Sequence, residues 1–244
     1  MRNPSVDAAL RTARRRVVER TERNDGESSL VALDIGQLIS PLRLDVLVRA
    51  SLFETWAANW AEVHDRPDVA LSLAQSHTYR HWFDLVAKDK ITGGDTSSAD
   101  EAFAWRVRRS HALLRGYMQD GFDERYPITV KMHTGGRLAT GKLMGPRIYP
   151  VDGCHRLALL WVDGIRTLAP SHYRVLSNQA APRDNTAALL PVLKLTTSDY
   201  FDYIGLGYGL SAATNSTGLL CSLSAHDPRR SELESVLTTD QALR

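Results

Sequence analysis

The chain has 244 residues, is 43% hydrophobic, and carries 30 lysines and arginines against 28 aspartates and glutamates, a formal charge of +2. That length can bury a real core and fits one domain with additions or two small ones, while the near-balance of charge excludes a molecule-wide field that would draw the protein onto nucleic acid. Two cysteines are too few for a disulfide framework, no N-terminal stretch reads as a secretory leader, and no apolar run approaches the ~20 residues of a bilayer span, so a cytoplasmic protein without a membrane partner is expected.

Asp7 to Arg23 is helix-friendly, with Ala8, Leu10, Ala13, Val17 and Val18 apolar and Arg11, Arg14, Arg15, Arg16 and Arg20 filling the other positions. It reads as a solvated charged helix within residues 1–29, ahead of a nucleic-acid arm as the alternative. Asn24-Asp25-Gly26-Glu27-Ser28-Ser29 breaks the pattern, and Leu30 to Ile35 alternates as a half-buried strand does, so the first domain starts there. Leu44 to Val63 predicts a helix with Phe53, Trp56 and Trp60 at core spacing. Two more helices are expected over Ser72 to Lys88 and Asp100 to Asp120, separated by the loop Thr92 to Ser98. The last of these carries Arg106, Arg108, Arg109 and Arg115, read either as phosphate ligands or as a solvated face.

From Gly121 onward the character changes. Ile128-Thr129-Val130 reads as a strand, the region of Gly135, Gly136 and Gly141 as a hairpin or loose loop, Arg147 to Val151 as another strand, and Tyr173 to Leu176 as a returning one. His155 to Val162 forms a helix whose Leu157, Leu160 and Trp161 share a face, with Gly164 placed to stop it. After Ala180 to Asn185 the composition shifts, and the stretch with Tyr200, Phe201, Tyr203 and Tyr208 receives no secondary structure. Gly205-Leu206-Gly207-Tyr208-Gly209 lacks the context of a dinucleotide loop and reads as a flexible loop over the site. The end from Asp227 is a helix or a frayed tail. The domain division is residues 1–29, 30–180 and 181–244.

The chemistry concentrates where the strand ends in Asp152-Gly153 and feeds directly into a helix. The first helical N–H groups have no intrahelical partners there, and the helix dipole favours an anion. Gly153 allows a close backbone approach, and His155 and Arg156 can add charge-assisted bonds to phosphate. Equally, Asp152 can be a plain N-cap, Gly153 a turn glycine and Arg156 a surface residue. The two cysteines do not form a Cys-x-x-Cys pair, and no zinc site is expected.

Gly121-Phe122-Asp123, then Pro127-Ile128-Thr129-Val130, then Val151-Asp152-Gly153-Cys154-His155-Arg156-Leu157-Ala158 resemble the ParB/sulfiredoxin superfamily pattern, over about Leu30 to Val175. The resemblance implies an α/β (α+β) fold, a small mixed sheet surrounded by helices, here with a helical insertion and a C-terminal extension. It also implies that Gly153, Cys154, His155 and Arg156 hold the phosphates of ATP or another nucleotide with Mg²⁺. Within the superfamily the free-serine-kinase branch is closest in character. Asp152 then takes a metal-linked or acceptor-orienting role and Glu54, or alternatively Asp45, supplies the second carboxylate. The reaction so implied is phosphoryl transfer to a small hydroxyl-bearing metabolite such as an amino acid. A non-catalytic, nucleotide-gated DNA-associated protein is the alternative, although no DNA-reading helix pair follows Val175. Gly153-Cys154-His155-Arg156 is also similar to the sulfiredoxin signature, in which the cysteine attacks, so Cys154 reads either as a nucleophile or as a small turn residue.

Overall fold

The computed structural model describes residues 31–95, 98–176, 181–211 and 213–243. The charged helix expected over Asp7 to Arg23 lies outside them.

Of the half-buried strand expected over Leu30 to Ile35, the described residues form β1 (Leu33–Asp34), and a short helix α1 (Ile35–Ile39) follows at once. The cause is local: the Asp34 carboxylate accepts from the Gln37 N–H at 2.8 Å and caps that helix. The long helix then begins at Leu44 as expected but ends at Ala58 (α2), with a separate turn α3 (Trp60–Val63) after Asn59. Its Leu44, Val48, Leu52, Phe53 and Trp56 are fully buried, so spacing located the core face correctly.

The single helix read over Ser72 to Lys88 is in fact a run of pieces: α4 (Pro67–Gln75), α5 (Thr78–Trp82), a π-helical turn (Phe83–Ala87) and α6 (Lys88–Thr92). Pro67 opens α4 at a position that needs no N–H. The break before α5 is made by His77, whose Nδ1 accepts from the Tyr79 N–H at 3.0 Å. Histidine is an uncommon cap and gives no sequence signal. The long helix α7 (Ala99–Asp120) matches expectation within one residue and ends at Gly121, at φ 78°.

A small mixed sheet follows, in the order β5-β2-β7. β2 (Ile128–His133) pairs antiparallel with β5 (Arg147–Asp152) and parallel with β7 (Tyr173–Leu176). The glycine-rich stretch between β2 and β5 is a hairpin of β3 (Gly136–Arg137) and β4 (Leu143–Met144). Helix α8 (Cys154–Val162) leaves β5 through Gly153 and packs on α2, and β6 (Thr167–Leu168) returns to pair with β1.

The segment left without structure in the sequence is helical: α9 (Thr186–Leu193), α10 (Thr197–Leu206), α11 (Ser216–Cys221) and α12 (Arg230–Gln241). Leu189, Tyr200, Ile204, Leu219, Leu233 and Val236 belong to the same apolar cluster as Ile35, Phe53, Ile128 and Leu157. Residues 181–243 therefore share their core with the residues before them. The expected loop at Gly205 to Gly209 is the end of α10 and its C-terminal turn, where the Leu210 N–H donates to Gly205 at 3.0 Å. It does not lie over the main cavity, because Gly207 and Tyr208 line a different and smaller one beside Arg147 and Glu232. Among the described residues no helix is long and apolar enough to cross a membrane.

Candidate functional site

The Asp152–Arg156 turn opens onto a cavity of about 1200 Å³. Gly153 has φ 81°, and a Cβ there would stand 3.1 Å from the Ile128 backbone and from Arg156 Nη2. A side chain is excluded by both the left-handed backbone and the close approach of β2. Cys154, His155 and Arg156 thus start α8 directly at the cavity wall.

Seven arginines line this cavity: Arg43, Arg49, Arg106, Arg109, Arg125, Arg156 and Arg183. Four carboxylates line it too, Asp120, Asp123, Glu124 and Asp152, and Arg125 is already held by Asp123 at 2.8 Å. The deepest cations are organised by Asp45. Arg43 meets both Asp45 oxygens, Oδ1 through Nε at 2.8 Å and Oδ2 through Nη2 at 2.9 Å, while Arg49 also donates to Oδ2 and Asn185 donates to Oδ1 at 2.6 Å. Asp45 and Arg49 stand four apart on one face of α2, which explains the pairing. Burial alone would raise the Asp45 carboxyl, but Arg43 and Arg49 hold it far below the usual carboxylate range. Burial likewise opposes charge on Arg43, and Asp45 outweighs it, leaving Arg43 above its ordinary value.

Asp45 is therefore a permanently ionised anchor with its oxygens occupied, and it aims Arg43 and Arg49. Arg43 also donates to Cys154 Sγ at 3.0 Å and to the Pro150 carbonyl, tying the start of α2 to the turn. Cys154 is buried.

His155 sits in an aromatic box. Its Nε2 is 2.9 Å from the Tyr79 hydroxyl, and the rings of Phe53, Tyr79 and Trp82 meet it edge-on with centroids 6.0 to 6.1 Å away. Burial, then the nearby Arg49 and Arg106 cations, push its pKa well below the usual histidine value, so the ring is neutral at pH 7. Trp82 in turn carries Arg49 at 4.1 Å and Arg106 at 5.0 Å from its ring centroid. Burial lowers the Arg106 pKa, as it does that of Arg156.

Three guanidinium nitrogens on these arginines, Arg49 Nε, Arg106 Nε and Arg156 Nη1, are buried with no hydrogen-bond partner among the described residues. Arg156 has a distant neighbour in Asp152, 3.7 Å away, and the Asp152 side chain is 75% exposed.

The structure brings together Asp152, Gly153, Cys154, His155 and Arg156, with Asp45 just behind Arg43 and Arg49. It does not bring Glu54 to them: that residue is exposed on α2 and does not line the cavity. Of the four arginines on α7, Arg106 and Arg109 line the cavity, whereas Arg115 pairs with Asp65 at 3.3 Å and Arg108 points elsewhere. Sequence reasoning missed Arg43, Arg49, Tyr79 and Trp82. Only Asp45 and Arg49 at helical spacing carried a signal. His77 and His81 stand four apart on the sequence, yet among the described residues no three His, Cys, Asp or Glu side chains gather as a metal site.

No family model matches the chain, and neither does any curated protein or solved structure.

Proposed function

We propose that this cavity binds the phosphates of a nucleotide and that the protein transfers a phosphoryl group to a small hydroxyl-bearing metabolite, on a fold of the ParB/sulfiredoxin type. The observation that carries the reading is the set of three unpartnered guanidinium nitrogens on arginines that line one cavity beside the Gly153 turn. A buried donor left unpaired costs about 1–3 kcal/mol, and phosphate oxygens are the acceptors that suit the guanidinium groups of these arginines. Planar arginines suit phosphate better than lysines do, because they offer forked donors that stay charged.

Phosphoryl transfer asks mainly for positioning and electrostatic stabilisation. In this reading Arg49, Arg106 and Arg156 hold the phosphates, and the N-terminal N–H groups of α8 add dipolar stabilisation. Neutral His155, bonded to Tyr79, fixes the wall. Asp152 is the carboxylate at the turn, exposed to the cavity. Mg²⁺ in nucleotide sites commonly rests on one or two carboxylates plus the phosphates themselves, so Asp152 fits as the residue that would hold it, and the ion would neutralise charge on the transferred group.

One observation favours a second reading, nucleotide binding without catalysis. Asp45 has its oxygens occupied by Arg43, Arg49 and Asn185, and Glu54 lies off the cavity. Neither supplies a free second carboxylate.

Incubation with ATP, Mg²⁺ and a panel of amino acids and sugars separates the two. Acceptor-dependent ADP formation that Asp152→Asn abolishes, with nucleotide binding largely kept, supports transfer. Tight nucleotide binding with no turnover on any acceptor supports the second reading. Arg156→Ala is expected to weaken nucleotide binding itself, and absence of any binding by the wild-type chain sinks both readings.

A further inference from the structure

Phosphates alone do not fill a cavity of this size. Its long wall is α7, whose inward stripe is aromatic and cationic at one end (Trp105, Arg106, Arg109), small in the middle (Ala112, Gly116) and acidic at the other (Asp120). At the helical rise, Trp105 and Asp120 are about 22 Å apart along the axis. The middle is open, since a Cβ built on Gly116 meets nothing within 4 Å.

Trp105 is 49% exposed, although Phe103 and Val107 on either side of it are buried in the core. Its indole does not close the fold. It carries Arg109 at 4.7 Å from the ring centroid, and it directly precedes Arg106, one of the buried arginines with an unpartnered nitrogen. Arg49, which shares the Trp82 ring with Arg106, is 4% exposed and has an unpartnered Nε as well. A half-exposed indole thus lines the same cavity as arginines whose buried donors lack partners among the described residues.

We infer that Trp105 is the ring-binding subsite of this cavity, stacking the base of a nucleotide whose phosphates lie on Arg49 and Arg106. The inference rests on the phosphate-binding reading of the cavity and adds where the base goes. Every base has a π-face, so stacking on an indole binds purines and pyrimidines alike. The far end of α7, where Asp120 stands near Asp123 and Glu124 on the cavity wall, is left to the acceptor. Tyr126 also lines the cavity and is 64% exposed, but it belongs to that acidic end.

The test is an equilibrium titration of the full chain with ATP, CTP and inorganic tripolyphosphate, for the wild type, Trp105→Ala, Trp105→Phe and Tyr126→Ala. Both nucleotides are expected to bind about tenfold tighter than tripolyphosphate, the scale of one stacked base. Trp105→Ala is expected to erase that preference while leaving tripolyphosphate affinity and the urea midpoint unchanged, and Trp105→Phe to restore most of it. Equal affinity of the wild type for nucleotides and tripolyphosphate overturns the ring subsite alone. So does a preference that survives in Trp105→Ala or vanishes in Tyr126→Ala. If the wild type binds neither nucleotide nor tripolyphosphate, the phosphate reading falls and the subsite with it.

Discussion

Two clusters of buried charge among the described residues have opposite balance. Where α12 closes over the β3–β4 hairpin, Lys142 is wholly buried between Asp184 at 3.3 Å and Asp240 at 2.7 Å, and Arg147 pairs with Glu232. Tyr200 donates to Asp240 at 3.0 Å, and Glu232 takes the Gly145 N–H at 2.6 Å and the Tyr208 hydroxyl at 3.1 Å. Two cations there meet three carboxylates. In the cavity the ratio reverses: Arg43, Arg49, Arg106 and Arg156 share Asp45 and the exposed Asp152, and nitrogens on three of them go unpartnered. In the first cluster each cation meets a carboxylate of the chain, although Arg147 Nε is itself unpartnered among the described residues, and the cluster clasps the C-terminal helices to the sheet. The second carries more cations than carboxylates, the balance on which the phosphate reading rests.

The sharpest way to break this contrast is to remove the cation of the clasp. Lys142→Met leaves two buried carboxylates facing each other, and taking one partner from a buried pair costs about 3–5 kcal/mol. Urea denaturation should register that loss, while the folded variant keeps its nucleotide affinity. Burial already pushes the Asp240 carboxyl up despite Lys142, so in the variant it takes a proton as the pH falls, and the loss should be larger at pH 8 than at pH 5. A cost below about 1 kcal/mol would place the clasp with ordinary surface pairs.

The cavity makes its own demand on pH. His155 is held below its ordinary value by burial and by Arg49 and Arg106, so the unfolded chain binds a proton there before the folded one does. Stability from this residue is complete above about pH 6.5, the unfolded value, and is lost as the pH falls toward the folded one. His77, His111 and His172 are also lowered, each chiefly by burial, and act in the same direction. Stability measured between pH 7 and pH 5 should fall in the wild type, and His155→Gln should shallow that slope by up to about 1.4 kcal/mol per pH unit. An unchanged slope would mean that His155 is not held neutral.

The legible parts of the sequence were those governed by local rules. Gly153 and Gly164 had to be turns, and both take positive φ, 81° and 82°. The apolar spacing in α2, α7 and α8 marked their buried faces, and β2, β5 and β7 announced themselves through alternation or apolar runs. What escaped depended on contacts far apart in the chain. Arg43 reads as an ordinary loop residue until Pro150 and Cys154 come to it from more than a hundred positions away. Asp45 looks like a first-turn acid that could serve as a base, and only the fold reveals that Asn185 and two arginines consume it. The helices after Thr186 were hidden because their apolar faces match a core built by other segments, and because Pro191 and Gly205 interrupt their patterns.

The smallest expected effect concerns Gly116, and it tests whether the open side of the cavity is used. A glycine in the middle of a 22-residue helix costs about 0.5–1 kcal/mol relative to alanine, and here nothing within 4 Å forbids a methyl group. Gly116→Ala should therefore raise the stability of the unliganded chain by that amount. If a ligand crosses α7 between the arginines and the acidic end, the methyl meets it, and nucleotide affinity should fall even as the helix gains. Gly116→Leu, with its side chain projecting into the same empty space, should keep the fold and weaken binding further. A stabilised Gly116→Ala that binds nucleotide as tightly as the wild type would confine the ligand to the arginine end. The charge contrast would then stand, but the cavity's length along α7 would have no part in recognition.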